Sequence, residues 1–259
     1  MIKCVCTLTT GGSYNDLVRL LTSISLYCPM LKIYLLCDSV VMESVLIDFP
    51  FLNIICHCIL DKYMNKNRRI LESEGRWLDF MLEKCTIIDY ALEREDHVLF
   101  VDSDIILLNG VDGIEVGGEI GLSRHEIVRG DEDLYGKFNG GFIYVRNKSF
   151  TGWWRSASVG SSFYEQKAMD NIPRNFDTFY FPPQNNFGWW RLCQAEVPHE
   201  VASRFKVCGD TIMYDNKPLN SVHTHIGDNS NYVVIFNNFI ESLIKKSNNL
   251  SYKRVFSRM

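Results

Sequence analysis

Apolar residues along this chain follow two alternating patterns: short unbroken runs, and stretches in which they recur every three or four positions. An unbroken run closed by polar residues is how a strand buried on both faces reads, and the second spacing marks one face of a helix. Residues 2–8 are the first run; it ends at Thr9 and Thr10, where Gly11, Gly12 and Ser13 supply a turn. Over residues 14–28, Leu17, Leu20, Leu21, Ile24 and Cys28 keep helical spacing until Pro29. A second run, 31–37, closes on Asp38; a short helix near 42–47 stops before Pro50, and 51–59 is a third run. Strand, helix, strand, helix, strand predicts an α/β fold with a Rossmann-like, mainly parallel sheet flanked by helices. The G-x-G-x-x-G of dinucleotide-binding folds is absent.

The polar segment 61–75, with Lys62, Lys66, Arg68 and Arg69, reads as a loop into a helix over residues 76–92. Trp77, Phe80, Met81, Ile87, Ile88 and Ala91 line one face of that helix, and Lys84 falls on the same stripe. Such a lysine has two readings: a stem snorkelling at the rim, or a cation delivered beneath the next strand to face phosphate or sugar.

That next strand is HVLFVDSDIILLN, residues 97–109, in which four apolar residues precede Asp102-Ser103-Asp104 and four follow. Residues two apart on an extended chain project to the same side, so both carboxylates can address one object. In open α/β sheets ligands collect at the carboxyl ends of strands, and two desolvated carboxylates there call for a divalent cation. Oxygen ligands suit magnesium, manganese or calcium. Acid-x-acid pairs at Glu72/Glu74, Glu93/Glu95 and Asp131/Asp133 stand in polar surroundings and read as solvated faces.

Further on, residues 119–122 read as a short strand and the charged segment 123–137 as a flap with few apolar anchors. FNGGFIYVRN (138–147) is a strand opened by Asn139-Gly140-Gly141, where glycines let backbone approach a ligand. A helix is expected over 153–164, short strands at 178–181 and 205–208, and an aromatic-rich loop at 185–192. His223 and His225 share one side of a strand at 221–226, before Gly227-Asp228, and 231–245 forms a closing helix. The basic tail (Lys245, Lys246, Lys253, Arg254, Arg258) reads as a solvated end, with contact to anionic lipid as the other reading.

A chain of 259 residues with 46% hydrophobic and 22% charged content fits one large domain or two small ones, with enough chain for a substantial core. Net charge of −4 argues against bulk electrostatic binding of nucleic acid. Nine cysteines, no signal-like leader and no membrane-length apolar run place the expected compartment in the cytoplasm. The C-x-C pairs Cys4/Cys6 and Cys56/Cys58 fall inside apolar runs and read as core.

Taken in order, the motifs resemble those of metal-dependent glycosyltransferases of the GT-A fold, in particular glycogenin and the bacterial lipopolysaccharide galactosyltransferases. TLTTGGSY resembles the family's first strand and nucleotide turn, FVDSDIIL its D-x-D motif, and FNGGFIYV its Asn-x-Gly strand. EQKAMD is similar to D-Q-x-x-L-N, with Glu165 for the Asp and Asp170 for the Asn, and HTHIGD to the closing histidine segment. No Lys-Pro-Trp follows Gly227, so the family's diphosphate-binding lysine has no counterpart there. The resemblance implies a single domain over 1–259, with a nucleotide-binding half near 1–110 and an acceptor half near 111–259. It implies sugar transfer from a nucleotide-diphosphate sugar, UDP-sugar favoured, to a hydroxyl on a glycan, lipid or protein. The expected metal is Mn2+ or Mg2+, held by Asp102, Asp104 and one histidine, His225 favoured over His223. Leu8, Thr10, Tyr14, Lys84, Asp102, Ser103, Asn139, Gly140 and Asp170 are the expected donor contacts. Glu165 and Gln166 are the expected catalytic residues, with Glu165 as base or as positioning group. Two other classes stand beside this one. A haloacid-dehalogenase-type phosphatase also uses D-x-D, though on its first strand; the third class is a non-catalytic nucleotide-sugar-binding module.

Overall fold

A computed structural model describes residues 1–225 and 230–256. Strands β1 (Cys4–Thr9), β2 (Lys32–Cys37), β3 (Ile54–Cys58) and β4 (Val98–Val101) lie in the order β3-β2-β1-β4 and run parallel. Beyond them come β5 (Ile105–Leu107), β6 (Ile120–Arg124), β7 (Phe138–Val145) and β8 (Thr178–Phe181). β7 runs antiparallel between β4 and β6, and β8 pairs parallel with β6, completing a seven-stranded sheet β3-β2-β1-β4-β7-β6-β8. The remaining strands are β9 (Phe187–Gly188), β10 (Phe205–Cys208), β11 (Thr211–Tyr214), β12 (Lys217–Pro218) and β13 (Ser221–His223). They form two small sheets, β10-β11-β12 and β5-β13-β9.

Alternation along β1 sorts its side chains between two cores. Cys4, Cys6 and Leu8 pack with Cys85, Ile88 and Ala91 of the helix Glu83–Leu92, while Val5 packs with Leu17, Leu20 and Leu21 of the helix Tyr14–Tyr27. A third core joins Ile106 and Leu108 to Phe187, Val222, Phe236 and Ile240 under the helix Asn231–Lys246. No helix among the described residues is long and apolar enough to cross a membrane.

The α/β class and mainly parallel sheet agree with the hydrophobic pattern, and several local readings change; the helix expected over 153–164 is Phe150–Ser158, and the strand expected at 221–226 is Ser221–His223, with His225 beyond it. Residues 97–109 are two strands in two sheets, β4 and β5, because Ile105–Leu107 pairs antiparallel with β13. The helix expected over 76–92 breaks at Leu82 into Trp77–Met81 and Glu83–Leu92, and Arg155 Nη1 donates to the Leu82 carbonyl at 3.1 Å. Segment 61–75 contains a helix, Arg68–Ser73, capped by Asn67. The aromatic loop holds a short helix, Trp189–Cys193, and the hairpin β11-β12 went unseen because its residues lack a two-residue alternation. Segment 123–137 extends β6 to Arg124 and then forms the helix Arg129–Tyr135. Polar contacts anchor it in place of the missing apolar ones: Val128 N donates to the Gln194 carbonyl and Lys137 N to Asp170.

The end of the sheet that gathers the candidate site depends on Asp38. Its fully buried carboxylate accepts from Gly11 N at 2.7 Å and from Val41 N at 2.9 Å, tying the turn after β1 to the N-cap of the helix Ser39–Asp48. Asp38→Ala loses a cap and strands a buried N–H, so stability is expected to fall by about 1–3 kcal/mol. The measurement is the urea midpoint, which should drop at an unchanged m-value.

Candidate active site

The three-residue link between β4 and β5 carries both aspartates to a seam between two sheets. Ile105 N donates to the Asp102 carbonyl at 3.1 Å, closing a tight turn, and Asp102 N donates to Gly141 O on β7 at 2.8 Å. The carboxylates therefore diverge by the turn rather than lie along one extended strand. Asp102 faces Lys84, whose Nζ is 3.1 Å from Asp102 Oδ1, 3.0 Å from Gly140 O and 3.6 Å from Glu165 Oε1. Lys84 is 3% exposed and lies 5.3 Å from the centre of the Phe100 ring. Burial alone would lower its pKa, but Asp102 and Glu165 outweigh that and raise it, so the ammonium is held. Burial raises the Glu165 carboxyl, against the pull of Lys84.

Asp104 serves the other side of the seam. Its Oδ1 is 2.8 Å from His223 Nε2 and its Oδ2 is 3.1 Å from His225 Nδ1. The two imidazoles stack with centres 4.3 Å apart and planes 4° from parallel, and the Trp190 ring meets them edge-on at 5.1 and 5.9 Å. Asp104 is anchored through its own carbonyl, which accepts from Thr224 N at 3.0 Å and Thr224 Oγ1 at 2.9 Å. Burial would raise the Asp104 pKa; His223 and His225 reverse this and hold it well below the usual carboxylate range.

Among the described residues, Asp104, His223 and His225 bring ligand-type atoms within 4.8 Å of one another. His223 is fully buried, yet neither ring nitrogen is aligned for a hydrogen bond, although Nε2 is near Asp104. Buried imidazole nitrogens left in this way fit metal ligation, and a carboxylate with two imidazoles suits a transition metal. Asp102 Oδ2 stands 3.9 Å from His223 Nε2. Gly141 permits this crowding, for a Cβ there would fall 2.4 Å from Asp102 Oδ2 and 2.5 Å from His223 Cε1.

Other expected residues gather close by or at the rim. Asn139 Oδ1 accepts from Gly141 N and from Asn186 Nδ2, each at 3.0 Å, and Gln166 Nε2 donates to Tyr135 O at 3.1 Å. Leu8 and Thr10 stand at the carboxyl end of β1, and Ser103 is half-buried between the aspartates. Tyr14 donates its hydroxyl to Asp48 at 2.7 Å, and Asp170 pairs with Lys167 at 2.9 Å as it accepts from Lys137 N. Gly227 and Asp228, from the closing histidine segment, lie outside the described residues. Two side-chain-bearing residues here adopt left-handed backbone: Tyr164 (φ +44°), just before Glu165, and His225 (φ +46°). Such conformations cost about 1–3 kcal/mol and collect at functional sites.

Sequence reasoning assigned no role to four further residues. Asn186 and Trp190 were seen only as part of an aromatic-rich loop; both are buried, and Asn186 Oδ1 and Trp190 Nε1 lack hydrogen-bond partners. Arg191 is also buried, and it donates to the Asn186 carbonyl and to Glu126 and the Arg124 carbonyl. Asp16, in the first turn of the helix Tyr14–Tyr27, lies 3.3 Å from Arg19 Nη1. Burial pushes the Asp16 carboxyl up to about 6, Asp104 adds to the rise, and Arg19 and His223 oppose it. No local pattern marks Asp16 as part of the seam, because Asp104 and His223, which act on it, are distant in sequence. Cavities of about 470 and 580 Å³ open elsewhere, at the opposite end of the sheet beside Gly118 and Arg146. They are far from the carboxylates and histidines.

A mainly parallel sheet in this order matches the GT-A glycosyltransferase fold. The chain is similar over 95% of its length to galactosyltransferase LgtC solved with donor and acceptor sugar analogues, covering 97% of that chain at 13% identity and TM-score 0.56. It is similar to glycosyltransferase GlyE of Streptococcus pneumoniae TIGR4 at 13% identity and TM-score 0.57, over 94% of this chain and 64% of that one. Mouse xyloside xylosyltransferase 1 matches at 11% identity and TM-score 0.55, over 88% and 99%. No protein-family model and no curated protein matches the sequence. At these identities the likeness establishes the fold.

The raised Asp16 carboxyl has a measurable consequence. Its folded pKa of about 6 exceeds the ordinary 3.8, so its ionised form weakens the metal-free fold above pH 6. Asp16→Asn is therefore expected to stabilise the chain at pH 7.5 in a chelator, with the gain shrinking as pH falls through 6 and gone below about 3.8. Chemical denaturation at several pH values reads it.

Proposed function

We propose that this chain is a metal-dependent glycosyltransferase that moves a sugar from a nucleotide-diphosphate sugar, UDP-sugar favoured, to a hydroxyl of a glycan, lipid or protein acceptor. The observation that carries this reading is one seam in which Asp104 meets two histidines on one side while Asp102 meets Lys84 and Glu165 on the other. The GT-A fold around it supports the reaction class. Nine unpaired cysteines support a reducing, cytoplasmic setting.

The proposed ligand set is Asp102, Asp104 and His225, with His223 joining them. The carboxylate-and-imidazole mixture favours manganese over magnesium, which prefers oxygen alone. When bound, such a cation supplies Lewis-acid stabilisation of the charge that develops on the leaving diphosphate. Lys84 holds Asp102 and Glu165 in register and so shapes the donor side of the seam. Asn139, Gly140 and Gln166 present amide and backbone groups for sugar hydroxyls, with Asp170 fixing the start of β7 through Lys137. Leu8, Thr10, Tyr14 and Ser103 border the nucleotide at the end of β1. Glu165, buried and 3.6 Å from Lys84, would serve as base or orient the reacting sugar.

Incubation with Mn2+ and a panel of UDP-, GDP- and TDP-sugars should release nucleoside diphosphate from one donor. No release above the protein-free rate from any donor would refute the reading. Glu165→Gln is expected to lower kcat at least tenfold with donor affinity kept, since a group used in the transition state acts on kcat. Lys84→Met keeps the stem and removes the charge, so donor affinity should fall.

For the metal, Asp104→Asn should abolish Mn2+ binding followed by electron paramagnetic resonance. His223→Ala and His225→Ala should each weaken it at least about tenfold, since loss of even a ligand's hydrogen-bond partner typically costs that much. A variant of either histidine with full Mn2+ affinity removes that residue from the set.

A further inference from the structure

Asn186 has no part in the chemistry above, yet its side chain is fully buried between the turn Pro183–Asn185 and β9. Its backbone is held from both sides. The Asn186 N–H donates to the Pro183 carbonyl at 3.3 Å, and the Asn186 carbonyl accepts from Arg191 Nε at 3.2 Å. From that fixed origin Nδ2 donates to two acceptors, Ser123 Oγ at 3.2 Å and Asn139 Oδ1 at 3.0 Å. A register shift in β6 between Leu122 and Ser123 sets Ser123 opposite Asn139 on β7, so one amide can serve both. Asn186 Oδ1, by contrast, is shut from water without a partner. A buried acceptor left in this way weakens a fold, so stability alone gives no reason for a carboxamide at this position.

The reason lies with Asn139. The oxygen and the N–H2 of a carboxamide are nearly equal in size, so only hydrogen-bond partners decide which end points where. Gly141 N meets the Asn139 side chain at 3.0 Å, and a backbone N–H can only donate, so the atom it meets is Oδ1. Asn186 Nδ2 brings a second donor to the same oxygen. Turning the Asn139 amide over would set its N–H2 against two donors at once and lose both bonds. With both lone pairs of Oδ1 engaged, Nδ2 is what remains, and it has no partner among the described residues. Asn139 can therefore offer a ligand N–H donors alone. It does so close to the candidate metal group: a Cβ on Gly141 would fall 3.0 Å from Asn139 Oδ1 and 2.4 Å from Asp102 Oδ2.

We propose that Asn186 is a positioning residue: it locks the Asn139 carboxamide so that this side chain offers N–H groups, and no carbonyl, to the transferred sugar. The sugar atom recognised is then an oxygen with a lone pair to give, a hydroxyl or the ring oxygen. This deepens the glycosyltransferase reading and rests on it. The test is calorimetric titration of the full chain, in Mn2+, with each nucleotide sugar of the donor panel and with UDP, GDP and TDP, which carry no sugar. Asn186→Ala should weaken the nucleotide sugar about three- to tenfold, the worth of one hydrogen bond, and leave its nucleoside diphosphate within about twofold. Asn186→Leu, which fills the space without the amide, should do the same. Asn139→Ala should weaken the nucleotide sugar at least as much. The double variant Asn139→Ala, Asn186→Ala should lose no more than Asn139→Ala alone, because Asn186 acts through Asn139; a merely structural role would add its own loss. Equal losses for sugar and bare diphosphate, unchanged sugar affinity in both Asn186 variants, or fully additive losses in the double variant overturn the proposal and leave the glycosyltransferase reading in place. An unaltered chain that binds no nucleotide sugar overturns that reading and this proposal together.

Discussion

A buried ammonium holds the centre of this structure. Lys84 is 3% exposed, and without partners its burial would cost several kcal/mol. It finds them on three separate pieces of chain: Asp102 in the β4–β5 link, the Gly140 carbonyl on β7, and Glu165 on the helix Tyr164–Ala168. Each of those groups in turn needs the cation, since loss of one partner of a buried pair typically costs about 3–5 kcal/mol. The position of Lys84 is itself dictated by packing. Cys85, Ile87, Ile88 and Ala91 fix its helix against the sheet, so the ammonium arrives beneath the aspartates with no freedom to snorkel.

That dependence explains which parts of the molecule could be read in advance. Strand runs and helical spacing at the amino-terminal end report local burial, and β1, β2 and the helix Tyr14–Tyr27 fall within two residues of expectation. Lys84 stood out because a charge on an apolar stripe needs a reason. What the pattern hid was non-local. β4 and β5 read as one strand in sequence, yet pairing with β13, more than a hundred residues later, pulls them into different sheets. Asp16 and Asn186 carry no signal of their own, because their neighbours at the seam come from distant segments. Trp190 sat in a segment read as loop, since five helical residues are too few to show a period.

The seam gives the two aspartates separate tasks. On one continuous strand they would compete for one partner and repel each other. Across the turn, Asp102 balances Lys84 within the main sheet, while Asp104 balances the imidazoles brought by β13. Gly141 lets the two groups approach as closely as they do, because any side chain there would occupy the gap between Asp102 and His223. The left-handed backbone at Tyr164 and His225 lies beside Glu165, which meets Lys84, and beside Asp104, which meets the imidazoles. Strain of that kind persists only where surrounding contacts fix it, and here Trp154 Nε1 donates to the Glu165 carbonyl at 2.8 Å.

The charge balance of the seam bears on the order in which the proposed ligands would bind. Four carboxylates (Asp16, Asp102, Asp104 and Glu165) face two permanent cations, Lys84 and Arg19, and two imidazoles that are neutral when they ligate a metal. The surplus is negative, and its mark is already present in the Asp16 carboxyl pushed up to about 6 by burial and by Asp104. A diphosphate approaching that surplus meets repulsion, and Lys84 cannot cancel it while bound to Asp102 and Glu165. A divalent cation meets the opposite field and, once held, reverses the sign at the seam. For the ligands proposed above, these charges favour cation before nucleotide.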